Sequence, residues 1–304
     1  MMTNIQSILA TSLFRLPLVF VEIAHVRVLV GDGNHVRGKM ARGKSVVRAV
    51  RKFSLDAMKT LLFILALGMC SSLATAQSFL AEQVKFGRVR AALAEKETLL
   101  HKTLAAHGLK TDDLNILIVA YKAERILELY AKRRSATRYE KLASYDICNV
   151  SGVLGPKRAI GDFQIPEGFY RINRFNPFSN YHLSLGIDYP NRSDRIKGKA
   201  PELGGDIFIH GNCVTIGCLP MTDDKIREIY LYAVHARNNG QTQIPVYIFP
   251  FRMQAATLEK YAARYRNRPE LLAFWKNLKQ GHDKFLRERQ ELSISVAQNG
   301  DYRF

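Results

Sequence analysis

The sixteen residues from Asp206 to Met221 constrain the fold more than any other stretch of this chain. Asp206-Ile207-Phe208-Ile209 is a short apolar, strand-like run that delivers His210 into the loop Gly211-Asn212-Cys213-Val214-Thr215-Ile216-Gly217, which ends at Cys218. Past Met221, Thr222 is placed to cap a helix, with Asp223 and Asp224 in the first turn, where acidic side chains favour the helix dipole. Strand, glycine-bearing loop and helix start therefore lie in one segment. A cysteine becomes nucleophilic when a base or an electropositive setting takes its proton. His210 supplies that base if the loop folds back, which its glycines favour. With a helix start close behind, the N–H groups of Ile216, Gly217 and Cys218 would converge on a developing oxyanion, each such donor contributing about 3 kcal/mol to acyl transfer.

The flanking sequence places this segment in a β-rich domain. Leu114–Tyr121 and Arg125–Tyr130 are apolar, β-branched runs joined by Lys122-Ala123-Glu124, as in a hairpin. Further strands are expected at 145–148, 169–172, 182–189, 206–209 and 246–249, with Gly/Pro-punctuated turns from Ser151 to Gly168. Short strands with turn signals between them argue for an antiparallel β-sandwich or open barrel. Helical periodicity marks one amphipathic helix over 79–107 and the helix after Thr222, which Asn238-Asn239-Gly240 stops. Two more, over 254–267 and 270–289, are split at Pro269, and a strand-like run closes the chain at 292–296. The expected class is α+β, with a helix after the cysteine and extra C-terminal helices.

The N-terminal quarter reads differently. Met58-Lys59 opens the apolar run Thr60–Met69, which ends in Ser71-Ser72-Leu73-Ala74-Thr75-Ala76. A basic start, an apolar core too short to span a bilayer and an Ala-x-Ala exit make a signal peptide over 58–76, with Cys70 inside it. Residues 1–57 then read as a non-native or disordered extension. The remaining organisation is an N-terminal helix over 77–112, a catalytic domain over 113–252, and a helical extension with a terminal strand over 253–304.

The formal charge is +18, with ten Lys/Arg against three Asp/Glu in residues 1–76 and 35 against 24 in the rest. Such a chain seeks anionic partners, among them a cell-wall polymer. It lacks the zinc-finger spacing, aromatic ribonucleoprotein motif and basic heptads that mark nucleic-acid binders, so no nucleic-acid partner is expected. Four cysteines in 304 residues do not make a disulfide scaffold. Cys148 and Cys213 pair, leaving Cys218 free, or join His210 and Cys218 in a zinc site, or Cys213 is a plain buried thiol. The irregular spacing weighs against the metal, and no cofactor is expected.

His210-Gly211 followed by Thr215-Ile216-Gly217-Cys218 resembles the active-site motif of the L,D-transpeptidase catalytic family (YkuD-like), and is similar to its murein subgroup with a short gap between the two parts. The likeness extends over Ser151-Gly152, Leu154-Gly155-Pro156-Lys157, Gly161-Asp162, Pro166–Tyr170, Leu183-Ser184-Leu185, Tyr189-Pro190-Asn191, Phe249-Pro250-Phe251 and Phe274–Lys279. The resemblance implies a β-rich domain whose cysteine attacks the L,D peptide bond at meso-diaminopimelate in a peptidoglycan stem peptide. An amine resolves the acyl-enzyme in transpeptidation. Water does so in carboxypeptidase or amidase action, including release of wall-linked lipoprotein, and an inactive wall-binding protein on the same fold is the remaining alternative.

Carried over by position, Cys218 is the nucleophile, His210 the base, and the Gly211 carbonyl the group that orients the imidazole. The backbone of Ile216, Gly217 and Cys218 forms the oxyanion hole. The chain departs from its relatives at Ile216, where many have a second histidine, and at Pro220, where they have Arg or Asn. Tyr170, His182 and Thr215 are candidates for substrate contacts, although Tyr170 and Asp188 have ordinary strand explanations and His182 reads more readily as a packed or rim histidine. The expected location is the periplasm or cell envelope, with the membrane met only through the signal peptide.

Overall fold

The computed structural model describes residues 78–198 and 200–304. The expected extension over 1–57, the signal peptide over 58–76 and Cys70 lie outside the described residues. In chain order the elements are α1 (Phe79–Gln83), α2 (Gly87–Ala106), β1 (Asn115–Tyr121), β2 (Ile126–Lys132), β3 (Glu140–Asp146), β4 (Gly168–Asn176), β5 (Ser184–Ile187), α3 (Arg192–Lys197), β6 (Phe208–His210), β7 (Leu219–Pro220), α4 (Asp223–Asn238), β8 (Ile244–Phe249), α5 (Ala255–Arg264), α6 (Pro269–Glu288), β9 (Ser295–Val296) and β10 (Tyr302–Arg303). Among the described residues no helix is long and apolar enough to cross a membrane.

The class is α+β, and the architecture is a single curled sheet of eight strands in the order β3-β2-β1-β8-β4-β5-β6-β7. Most neighbours are antiparallel, as expected, but β1 pairs β8 and β6 pairs β7 in parallel. After β7 the chain crosses through α4 and returns to the middle of the sheet, where β8 lies between β1 and β4. The parallel β6–β7 pair joins two strands so short that the loop between His210 and Leu219 suffices.

Strand β1 shows why its sequence is apolar throughout. Ile116, Ile118 and Ala120 enter one core with Leu100 and Leu104 of α2 and Ile226, Ile229 and Ala233 of α4. Leu117, Val119 and Tyr121 enter a second core with Phe274, Trp275, Leu278 and Phe285 of α6. A strand covered on both faces reads as a continuous hydrophobic run. The helices of residues 253–304 thus cover the second face of the sheet.

Local chemistry sets the helix ends. Thr222 caps α4 by accepting the Lys225 amide, as its position implied. The single helix expected over 79–107 is two, because Phe86 takes an extended conformation and becomes the N-cap of α2. The short α1 is tied to α4, where Asn238 Oδ1 accepts the Leu80 amide and the Tyr230 hydroxyl donates to Gln83. Helix α3 was not foreseen and is held by a reciprocal capping box between Asn191 and Asp194. The terminal strand-like run contributes only β9, paired with β10 outside the main sheet.

One buried knot fixes the loop beside the site. Lys122 Nζ donates to the carbonyls of Gly155 and Ile165 and pairs with Glu167 Oε1 at 2.9 Å. Glu167 Oε2 accepts Trp275 Nε1–H of α6 at 2.8 Å, and its Oε1 also takes the Gly155 amide. Burial lowers the Lys122 ammonium from its ordinary value, and the Glu167 carboxylate opposes that shift. The 155–167 loop is therefore anchored at both ends.

Candidate active site

His210 closes β6 and is 1% exposed. Its Nδ1 lies 2.6 Å from the Gly211 carbonyl oxygen, which fixes the ring with Nδ1–H donating and Nε2 free to act as a base. The Tyr181 ring lies against the imidazole, with centroids 4.7 Å apart. Burial pushes the imidazole below its ordinary value, and the bond to Gly211 acts the other way. Gly211 admits no side chain, because a Cβ there would collide with Asp223 Oδ1 and the Tyr181 carbonyl.

The loop after Gly211 turns tightly. Asn212 and Cys213 both have positive φ, and Gly217 has φ 139°, a conformation that L side chains rarely adopt. Asp223 at the start of α4 accepts the Asn212 amide, so the helix end organises the loop. Cys213 forms a disulfide with Cys148, joining the loop to the chain just past β3. Of the alternatives for these cysteines, the structure shows the pairing, which takes two of the four ligands from the zinc site and leaves Cys213 no plain thiol. Cys218 is a free thiol.

Cys218 and His210 line the same cavity of about 520 Å³, together with Thr215 and Ile216. The thiol rests toward the Asp206 carbonyl oxygen at 3.7 Å rather than toward the imidazole. Burial pushes the thiol up and the Asp206 carboxylate adds to that, while a backbone hydrogen bond from Phe208 and the Lys157 charge oppose it. Burial thus disfavours the charged form of both groups in the free protein.

The expected oxyanion donors are arranged differently from the sequence expectation. Thr215 Oγ1 accepts the amides of Gly217 at 3.1 Å and Cys218 at 2.8 Å, and donates to the Cys218 carbonyl at 2.9 Å. Threonine hydroxyls hold turns together in this way. The two N–H groups do converge on one point, but the Thr215 hydroxyl occupies it. Nor does the cysteine sit at the helix start, because β7 intervenes and α4 begins at Asp223.

Tyr170 is not brought to the cavity. It is 2% exposed, and its hydroxyl donates to Asp194 and the Glu167 carbonyl beneath the sheet. Tyr170 and Ile172 face the core, and the bulge between Ile172 and Arg174 turns Arg174 and Asn176 to the other face of β4. His182 lies behind Gly211, where its Nε2 accepts Arg227 Nε–H at 3.0 Å and its carbonyl accepts from Arg88. It is thus held by packing and cations, outside the cavity lining. Asp188 accepts the Arg171 amide at the β4 edge, also away from Cys218. Ile216 is 75% exposed at the cavity rim, whereas Pro220 is buried in β7 opposite His210.

Sequence reasoning passed over Arg174, Asn176, Ser184 and Asp206, which all line the cavity. Arg174 and Asn176 share a face of β4 by the period of two, a signal present in the sequence but of no use until the sheet order is known. Ser184 sits directly opposite His210 in the β5–β6 ladder, and its Oγ is buried without a hydrogen-bond partner.

The family model described as the L,D-transpeptidase catalytic domain (YkuD) matches residues 115–248. The chain is 41% identical over 189 residues to YafK of Escherichia coli K12, whose name assigns it to the L,D-transpeptidases, covering 62% of this chain and 72% of that one. The counterpart in Escherichia coli O157:H7 matches to the same extent. Among solved structures, the helical cell shape determining protein Pgp2 from Campylobacter jejuni is 20% identical with a TM-score of 0.37, covering 62% of this chain and 74% of that one. Bd1075 of Bdellovibrio bacteriovorus is 18% identical with a TM-score of 0.32, covering 62% and 76%.

Proposed function

The chain belongs to the L,D-transpeptidase catalytic domain family, and from that premise we propose that it is an exported cysteine acyl-transfer enzyme acting on peptidoglycan stem peptides. The observation that carries the reading is one cavity lined by a free thiol and by a histidine whose Nδ1 is committed to a backbone carbonyl. Cys218 is the proposed nucleophile and His210 the base.

In the first step the Cys218 thiol gives its proton to His210 Nε2, and the sulfur attacks the carbonyl carbon of the L,D bond at meso-diaminopimelate. The imidazolium is stabilised by its Nδ1–H bond to the Gly211 oxygen, the orienting role that a third group plays in such sites. The oxyanion takes the place of the Thr215 hydroxyl between the Gly217 and Cys218 amides, which are already aimed at one point. Collapse of the tetrahedral species breaks the C–N bond, and the imidazolium returns the proton to the departing amine, leaving a thioester on Cys218. An acceptor amine then attacks the thioester, His210 taking its proton, and the thiol is regenerated.

Two thermodynamic features support this order of events. Burial disfavours the charged form of both the thiol and the imidazole before substrate binds. Substrate in the cleft is what makes proton transfer favourable, since the oxyanion gains donors and the imidazolium gains a counter-charge. Export to the cell envelope follows from the substrate.

The test is incubation of the protein with defined tetrapeptide muropeptides and an amine acceptor, followed by mass spectrometry of products. Cross-linked or exchanged product is expected from the unaltered chain and none from Cys218→Ala. Hydrolysed product alone would assign the acyl-enzyme to water. Absence of any product would leave a wall-binding protein.

A further inference from the structure

Across the sheet, Arg174 of β4, Gly186 of β5 and Phe208 of β6 lie in one row. Gly186 has no side chain to separate its neighbours, and a Cβ there would stand 3.1 Å from the Arg174 Cβ and 3.1 Å from the Phe208 ring. The guanidinium therefore lies over the Phe208 ring, 4.8 Å from its centroid. From that position it pairs with Asp206 at 2.7 Å.

This ion pair is open to water, with side chains 51% and 79% exposed, and it lines the same cavity as Cys218. Exposed pairs of this kind contribute little to stability. Asp206 also takes a positive φ of 55°, which costs a non-glycine residue energy, and its carbonyl oxygen receives the Cys218 thiol. Strain at a cleft residue that touches the nucleophile, and a stacked guanidinium held by a glycine gap, are features that stability does not require.

We propose that Arg174 and Asp206 together receive a zwitterionic amino-acid end of the substrate, the guanidinium taking its carboxylate and the Asp206 carboxylate taking its ammonium. The inference rests on the acyl-transfer reading for its substrate, a stem peptide whose diamino-diacid residue carries a free ammonium and carboxylate a few bonds from the attacked carbonyl. A planar guanidinium fixed on an aromatic face is suited to a carboxylate. The ammonium would also offset the Asp206 charge that pushes the Cys218 thiol up. Arg174 and Asp206 are thereby specificity-determining residues, which select the free diamino-diacid over a diamino acid that lacks the second carboxylate.

The experiment is calorimetric binding to full-length Cys218→Ala of three tetrapeptides: one with meso-diaminopimelate, one with its side-chain carboxylate amidated, and one with its side-chain amine acetylated. Each cap is expected to weaken binding about tenfold, the loss of one charge-assisted contact. Adding Arg174→Gln abolishes the penalty for the amide and keeps that for the acetyl group; Asp206→Asn does the reverse. Arg174→Lys retains the charge and keeps the carboxylate preference, and melting curves verify that each variant is folded. Equal binding of all three peptides, penalties that survive in the variants, or no binding at all would overturn the proposal. Turnover by the unaltered protein reports separately on the acyl-transfer reading. Binding with this charge signature but no turnover removes that reading alone, and turnover without the signature removes the subsite alone.

Discussion

Thr215 holds Cys218 on both sides of its backbone, accepting the Cys218 amide at 2.8 Å and donating to the Cys218 carbonyl at 2.9 Å. The same hydroxyl takes the Gly217 amide, so it both shapes the turn and keeps two donors aimed at one place. Thr215→Val removes the hydroxyl at nearly constant volume. It is expected to lower kcat by about tenfold to a hundredfold, because the hydroxyl's bond to the Cys218 carbonyl, which holds the turn even after the oxyanion has taken the two amides, is lost, while Thr215→Ser retains most activity. Steady-state kinetics on a stem-peptide donor checks this, and a Thr215→Val variant as active as the parent would contradict it.

The two titrating groups of the cleft move in opposite directions, both because of burial. A lowered imidazole value means that His210 is already deprotonated at pH values below the ordinary histidine range, so the acid limb of kcat/KM is expected below about pH 6.5. A raised thiol value means that Cys218 stays protonated longer. Alkylation of Cys218 by iodoacetamide, followed by peptide mapping, should rise with a midpoint above about pH 8.5 in the free protein. A midpoint below neutrality would show a thiolate–imidazolium pair formed without substrate.

Much of the frame was legible before the fold was known. The Thr222 cap, the hairpin of β1 and β2 and the loop bracketed by His210 and Cys218 all follow from local chemistry, and local chemistry is what short windows record. What stayed hidden depends on partners distant in sequence. Tyr170 looked available for a substrate, but which face of β4 is covered is decided by strands and helices elsewhere. Arg174 and Asp206 lie 32 residues apart and meet only because β4, β5 and β6 are neighbours. The parallel pairing of β1 with β8 spans nearly the whole domain, and an antiparallel reading had no means to foresee it. Thr215 is visible in the motif, but the direction of its hydroxyl belongs to the folded turn.

Removing the buried carboxylate of Glu167 strands the Lys122 ammonium and leaves Trp275 Nε1–H and the Gly155 amide unpartnered. Breaking a buried pair on one side costs about 3–5 kcal/mol. Glu167→Ala should show a loss of this size in urea unfolding. A loss under about 1 kcal/mol would mean that water reaches the pair.

The Cys148–Cys213 disulfide closes a span of 65 residues that includes β4, β5 and β6. Constraint of the unfolded chain by a loop of that length contributes about 4 kcal/mol in the chain-entropy model. The Cys148→Ser, Cys213→Ser double variant is expected to lose stability of that order in denaturant. Its kcat should fall as well, because Cys213 lies in the loop between His210 and Cys218. Unchanged kcat with the stability loss would separate the loop's anchoring from its catalytic geometry.

In the proposed reaction Cys218 carries the acyl group. Intact-protein mass spectrometry after brief incubation with a stem-tetrapeptide donor, or with a carbapenem as a slowly released acylating agent, tests it most directly. A single adduct is expected, which peptide mapping places on Cys218, absent from Cys218→Ala and strongly reduced in a His210→Ala variant. An adduct that persists in Cys218→Ala, or a protein that accepts no acyl group while remaining folded, would contradict it.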